Sequence, residues 1–320
     1  FPFLIIISNI FLIVNYTIRY KQSNMNKNNI YNLEDRGILY LNGDDTFQFL
    51  QNIITNDISK ISNNQSCFNS LLSPQGKYLF DFLIIKHKNG FFIDCEKKQI
   101  EELYKLLMLY KLRSKVEILN LSNEFVVAAL SREKFLSMEN TKDHPGYTIK
   151  FREDPLFLDP RDKHLGARLI INLEKLYLSI KKLNLITSLS QEYYFHSYKL
   201  GIPQINTDKL KNKVFGIECN FEELNGIDFK KGCYVGQENT SRIKLRDKLT
   251  KRIFPIEVCE GKVSVDDEIR YDDENIGKIL IDDKFPFALI KFKNKNFDFE
   301  KKYKLKSAKI KILKPNWFKV

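Results

Sequence analysis

The texture of the chain changes at Leu249, and that change limits the folds open to it. Downstream, short apolar runs follow one another closely ("RIFPIEV", "GKILI", "FALIKF", "KSAKIKIL"), the signature of a small β-barrel or sandwich. Upstream, strand and helix periods alternate. "GILYL" at 37–41 reads as a strand, and Asp44 and Asp45 are placed to cap a helix with Phe47, Leu50 and Ile54 on one face. "CFNSLL" and "YLFDFLIIK" read as strands joined by the turn "SPQGK", with Pro74 and Gly76 supplying the bend. A helix through "QIEELYKLLMLYKL" carries Ile100, Leu103, Leu107 and Tyr110 at helical spacing, before strands at "KVEIL" and "FVVAAL". A turn-rich stretch at 131–146 precedes the strands "YTIKF" and "ARLIIN". Helices follow near 173–183 and 189–200, the second with Ser188 and Gln191 spaced as a capping box. The sum is α+β followed by an all-β module. At 320 residues the chain exceeds one ordinary core, so three units are expected: 25–120, 121–248 and a barrel at 249–320.

The first stretch stands apart. "FPFLIIISNIFLIV" is apolar for 14 residues, short of the ~20 a spanning helix needs, and it lacks a basic flank and a small-residue cleavage site. Residues 1–24 are therefore read as a non-native or disordered extension ahead of Met25, with a membrane anchor as the alternative. A net charge of +12 suits a polyanionic partner, yet the lysines are scattered as on a solvated surface. The cysteines (67, 95, 219, 233 and 259) contain no C-x-x-C pair, and the histidines are equally dispersed. Neither a metal site nor a disulfide framework is expected, and a reduced compartment is.

One run concentrates reactive, charged and flexible residues: "KKGCYVGQENTSRIK" at 230–244. Gly232 and Gly236 permit positive φ and close backbone approach on both sides of Cys233. Lys230, Lys231 and Arg242 would favour its thiolate if they stand near it. Gln237 and Glu238 supply the donor and acceptor pairs that read the edge of a heterocycle. The bland alternative is a turn whose cysteine is a small buried apolar residue.

"KGCYVGQE" followed by "SR" resembles the signature of the YgfZ family of folate-binding, iron–sulfur cluster assembly proteins, relatives of the glycine-cleavage T-protein (aminomethyltransferase). "FLQNIITND", "LLSPQGKYLFDFLI", "LRSKVEI", "LDPRDKHLGARL", "LGIP" and "LNGIDFKKGCYVGQE" fall in the family order, from about residue 30 onward. The resemblance implies a T-protein-like, multi-domain α+β fold around a central tetrahydrofolate channel, with a small C-terminal β-barrel. It implies a reactive Cys233 tuned by Lys231, with Tyr234, Gln237, Glu238 and Arg242 shaping the loop against the ligand. Asn56, Asp57, Gln75, Lys77 and Arg161 join the expected folate-binding set, and Asp81 is the candidate general base. The implied partners are folate and iron–sulfur assembly proteins or client [4Fe–4S] enzymes, including those of tRNA modification. No nucleic acid or membrane partner is expected. The chain is expected to be a cytoplasmic monomer, or to work in the mitochondrial matrix of a eukaryote.

Three positions depart from the family pattern. Phe80-Asp81 keeps one member of the T-protein's acidic pair, which speaks against aminomethyl transfer. Ser197 stands where the family tends to place an arginine, a loss Lys199 or His196 could cover. Asp247 stands where the signature usually continues into glycine. A cluster takes four thiolates and single cysteines do not supply them, so the expected role is that of a helper. The rival functions are a folate-dependent one-carbon transferase using Asp81 and a basic RNA-binding protein. In "DPRDKHLGAR", Asp159, Arg161, Asp162 and Arg168 form either an ion-pair cluster beside the ligand or a surface loop stitched by exposed pairs.

Overall fold

Apolar runs buried on both sides, not simple alternation, build the centre of this protein. The computed structural model describes residues 25–319, so the reading of residues 1–24 lies outside the described part. Strand β1 (Asn29–Asn32) is followed by β2 (Arg36–Asn42), helix α1 (Thr46–Ile53), β3 (Cys67–Leu72), β4 (Tyr78–His87), β5 (Gly90–Glu96), helix α2 (Ile100–Lys111) and β6 (Glu117–Asn120). The next segment holds β7 (Phe125–Leu130), the short helix α3 (Arg132–Leu136), β8 (Thr148–Phe151), β9 (Asp154–Leu158), β10 (Ala167–Asn172), α4 (Leu173–Lys182), β11 (Ile186–Ser188) and α5 (Ser190–Lys199). Residues 200–236 hold only single 3₁₀ turns before α6 (Gln237–Leu245). The last strands are β12 (Arg252–Gly261), β13 (Glu268–Tyr271), β14 (Glu274–Ile281), β15 (Phe287–Ile290), β16 (Lys302–Lys304) and β17 (Ala308–Ile312).

Two sheets form, in the orders β3-β4-β5-β2-β6 and β11-β1-β7-β10-β9-β8, and the final six strands close into a barrel. The sheets pack face to face: Phe68, Leu83, Ile85 and Phe92 of one share a core with Val127, Ala129, Phe157 and Ile170 of the other. Helices cover the outer faces. Leu50 and Ile53 of α1 and Leu103 and Leu107 of α2 bury against the first sheet, and Leu176 of α4 and Phe135 of α3 against the second. Phe254, Ile256, Ile279, Ile290 and Ile310 fill the barrel. Register shifts at Val258/Glu260, Ile269/Arg270 and Ile279/Ile281 mark bulges in its strands, the local bends that help a short sheet curl.

Several expectations change. β1 pairs with β7 and β11 and so belongs to the second sheet; the unit drawn at 25–120 gives its opening strand to its neighbour. β5 and β9 escaped notice because both are buried along their whole length and show no period. Asp45 flanks α1 without capping it; its carboxylate accepts from the Lys115 N–H at 2.7 Å. Ser188 lies in β11 and Leu189 is the residue before α5, so that capping box does not form. The turn-rich stretch holds α3, capped by Ser131 accepting from the Lys134 N–H at 3.1 Å. No helix of the described residues is long and apolar enough to cross a membrane.

Candidate functional site: the Cys233 loop and the groove beside it

The irregular stretch 200–236 is tied to the first sheet by backbone bonds. Asn212 N–H donates to Tyr78 O, Tyr78 N–H to Val214 O, Gly216 N–H to Gly76 O, and Val235 N–H to Asn52 O. This delivers residues 230–236 to the C-terminal end of α1, where the last carbonyls lack helical partners. Lys231 meets them. It is 7% exposed, and its ammonium donates to Gln51 O at 2.7 Å, Ile54 O at 2.6 Å and Asn56 O at 3.0 Å. Burial draws its pKa down to about 8, against the pull of Asp57 and Asp228. All three donors are engaged with carbonyls, so the lysine expected to tune Cys233 instead pins the loop that carries it.

Cys233 is exposed, as is Cys259 on the barrel. The other three thiols are buried; burial pushes Cys67 up to about 12 and raises Cys95 and Cys219 as well, which makes them poor thiolates. The two glycines of the motif differ. Gly236 sits at φ +83°, and a Cβ there would lie 2.4 Å from Ser73 O. A Cβ on Gly232 would meet nothing within 4 Å, and its φ is not in the left-handed region, so only half of the expectation about glycine holds.

Gly236 leads into α6, whose first turns form one wall of a groove of about 860 Å³ with Pro74 and Tyr234. Gln237, Glu238 and Arg242 line it together, and Arg242 donates to Glu238 at 2.6 Å along the helix. Tyr234 is buried, which pushes its pKa up to about 12; its hydroxyl lies near Thr240 without a hydrogen bond of good geometry. Gln75 is exposed at the turn and accepts from Asn239 through its carbonyl at 2.9 Å. The Lys77 ammonium sits 3.7 Å over the Phe215 ring. Asn56 and Asp57 lie apart from this groove. Asn56 donates to Phe68 O and Asn225 O, and Asp57 accepts from the Ser59 N–H as the cap of a 3₁₀ turn.

Asp81 and Arg161 occupy the interior between the sheets. Asp81 is half-buried and accepts from the Tyr78 hydroxyl at 2.9 Å. Burial raises its pKa, and Arg161 and Arg36 oppose the rise. Arg161 is buried and forks onto Asp159 at 2.9 and 2.6 Å. Burial, the largest influence, would raise Asp159, but the Arg161 and Arg168 guanidiniums together outweigh it and hold it low. Arg168 donates to Asp94 at 2.5 Å and to Gln204, and Arg36 to Asp94 at 2.6 Å. The alternating charges of "DPRDKHLGAR" thus divide: Asp159, Arg161 and Arg168 are buried, while Asp162 and His164 pair at 2.7 Å near the surface. Arg36, Asp94 and Gln204 were missed, because the groups they meet lie far away in the sequence and no local motif couples them.

The departures also find their places. Ser197 joins this cluster, accepting from Gln204 and donating to Ile202 O, both at 2.6 Å. Lys199 is exposed, with its ammonium over the Phe195 and Tyr198 rings, and His196 meets His164 O at 2.6 Å. Asp247 adopts φ +46° just past α6, a conformation that accounts for glycine at the same point in the family pattern.

No family model matches the chain. A Dictyostelium discoideum protein is 29% identical over 252 residues, covering 70% of this chain and 61% of its own length. One from Neurospora crassa is 30% identical over 237 residues (70% and 52%), and a human one is 27% identical over 241 residues (71% and 65%). All three bear the name iron-sulfur cluster assembly factor IBA57, or its homolog, mitochondrial. The chain is a relative of IBA57 proteins. It spans between about half and two thirds of the length of these IBA57 relatives. The expected kinship with iron–sulfur cluster assembly proteins holds at that coarser level, with relatives that carry the IBA57 name. The fold is that of the glycine-cleavage T-protein: the aminomethyltransferase T of Bartonella henselae superposes with a TM-score of 0.72 at 8% identity, over 94% of this chain and 88% of that one.

Proposed function

We propose that this chain is a tetrahydrofolate-binding accessory factor for assembly or repair of iron–sulfur clusters, with Cys233 as its reactive group. The observation that carries the reading is the exposed thiol on a pinned loop, with open space over Gly232. One accessible thiol can offer a cluster one ligand, so the remaining ligands come from a partner or a small thiol. The IBA57 names of the relatives support the role in assembly and the mitochondrial matrix as the compartment. Clients among the [4Fe–4S] enzymes of tRNA modification belong to the same reading.

The fold supports folate, and Asp81 fits it. A desolvated carboxyl with part of its surface open, steadied by the Tyr78 hydroxyl, suits the N–H groups along a pterin edge. Folate would supply a one-carbon carrier or a structural plug. Arg161 is oriented by Asp159 and Gln204, which engage its Nε and Nη2. A second reading, one-carbon transfer with Asp81 as general base, is favoured by that raised pKa, which brings the carboxyl toward working pH.

Anaerobic calorimetry with tetrahydrofolate, paired with complementation in cells, tests both. The wild type and Cys233→Ser should bind folate alike, and Cys233→Ser should depress [4Fe–4S] enzyme activity and tRNA thiolation. Normal cluster enzymes in the Cys233→Ser strain would refute the role assigned to the thiol. Loss of function confined to Asp81→Asn would favour the transferase.

A further inference from the structure

We propose that the groove beside Cys233 seats an acidic protein segment bearing one exposed apolar side chain. The inference rests on the reading above and gives the partner its chemistry. The groove of about 860 Å³ has an apolar wall: Pro74 is exposed, Val235 is half-buried, and Leu245 of α6 is 85% exposed.

Around that wall the charge leans positive. Arg242 and Arg246 line the groove with Glu238, and Lys244, Lys248, Lys251 and Arg252 follow along the chain with Asp247 among them. Glu238, Glu222 and Glu223 hold Arg242, Lys244 and Arg252, and Lys293 holds Asp247. Arg246, Lys248 and Lys251 make no ion pair among the described residues. Arg246, an unpaired cation on the groove itself, with Lys248 two residues on in the sequence, suits carboxylates that flank a hydrophobic side chain, with the charges steering and the apolar contact holding. Single-stranded RNA suits the groove less well. It takes aromatic platforms for its bases, and the aromatic side chain lining this groove, Tyr234, is buried. A segment seated here abuts Tyr234, next in sequence to Cys233, and would bring a partner's own ligands to the open side of the thiol.

The chain carries its own control, because Cys259 is also exposed but sits on the barrel. The full-length protein is alkylated with N-ethylmaleimide, and modification of each cysteine is followed by peptide mass spectrometry. The probes are a synthetic Glu/Ser peptide with one central leucine, the same peptide with serine for that leucine, and oligouridylate RNA of matched charge. The leucine peptide should slow alkylation of Cys233 by about fivefold or more and leave Cys259 unchanged. Leu245→Ser, and separately Arg246→Glu with Lys248→Glu, should each weaken that peptide by about tenfold, the size of one good contact. These side chains are on the surface, and an unchanged melting curve confirms that each variant folds. The proposal is overturned by no protection of Cys233, by equal protection from the leucine-free peptide, by stronger protection from RNA, or by variants that bind as the wild type does. The assay contains neither folate nor cluster, so a negative result leaves the cell-based Cys233→Ser test standing.

Discussion

At the scale of single residues, one nitrogen decides where the reactive loop lies. Lys231 gives the end of α1 its hydrogen bonds and fixes Cys233 two residues on. Replacing it with Met leaves those carbonyls without this donor, and should lower stability by about 1–3 kcal/mol in urea unfolding at an unchanged m value. The pH dependence has a definite sign. Burial lowers this pKa to about 8, so above that pH the folded protein sheds the proton before the unfolded chain does. The penalty of the buried charge is fully present below about 8 and is relieved as pH climbs toward the ordinary lysine range. Wild-type stability should therefore gain from this group over that window, and Lys231→Met should flatten the slope. The two glycines give a sharper contrast. Gly236→Ala forces a Cβ against Ser73 O at positive φ and should cost several kcal/mol, whereas Gly232→Ala should melt with the wild type. The residue types of the motif announced a special loop. Its anchoring was hidden, because the partners of Lys231 are backbone carbonyls and a carbonyl has no letter in a sequence.

At the scale of elements, the two sheets are bound through charge as well as through apolar packing. Asp94 of β5 takes Arg36 of β2 and Arg168 of β10, and Asp159 takes Arg161 and Arg168. Removing Arg168 takes the cation that Asp94 and Asp159 share and leaves each carboxylate with one guanidinium, so Arg168→Met should destabilise by about 1–3 kcal/mol. Lys309→Met, which removes an exposed pair with Glu260, should change stability by less than about 1 kcal/mol; urea midpoints of the two variants compare them directly. The hairpin of β3 and β4, the helix α2 and the late strands were legible because period and turn chemistry agreed there. Asp94 was not legible. It sits in the largely apolar run "GFFIDCE", two residues before Glu96, and only the pairing of β5 with β2 brings Arg36 within reach.

At the scale of the whole molecule, the barrel and the body are locked where α5 ends. Trp317 donates to Leu200 O at 2.9 Å, Tyr198 donates to Ile256 O at 2.5 Å, and a Cβ on Gly201 would strike Pro315 at 2.4 Å. Trp317→Ala should cost about 2–3 kcal/mol, less than a fully buried large aromatic because this one is half-buried. Calorimetry should then show the barrel melting ahead of the body. The T-protein-like architecture was legible in the order of the motifs, since six segments spread along the chain constrain topology in a way no single run can. The route of β1 was not, for four residues spelling "NIYN" fit either sheet. That route has a consequence for biosynthesis. As the ribosome releases the chain, Asn29–Asn32 emerges long before either of the strands that will flank it, β7 and β11. The opening strand must wait unpaired while the first sheet assembles beside it, so a nascent protein halted near residue 120 would display a sticky edge for chaperones to shield.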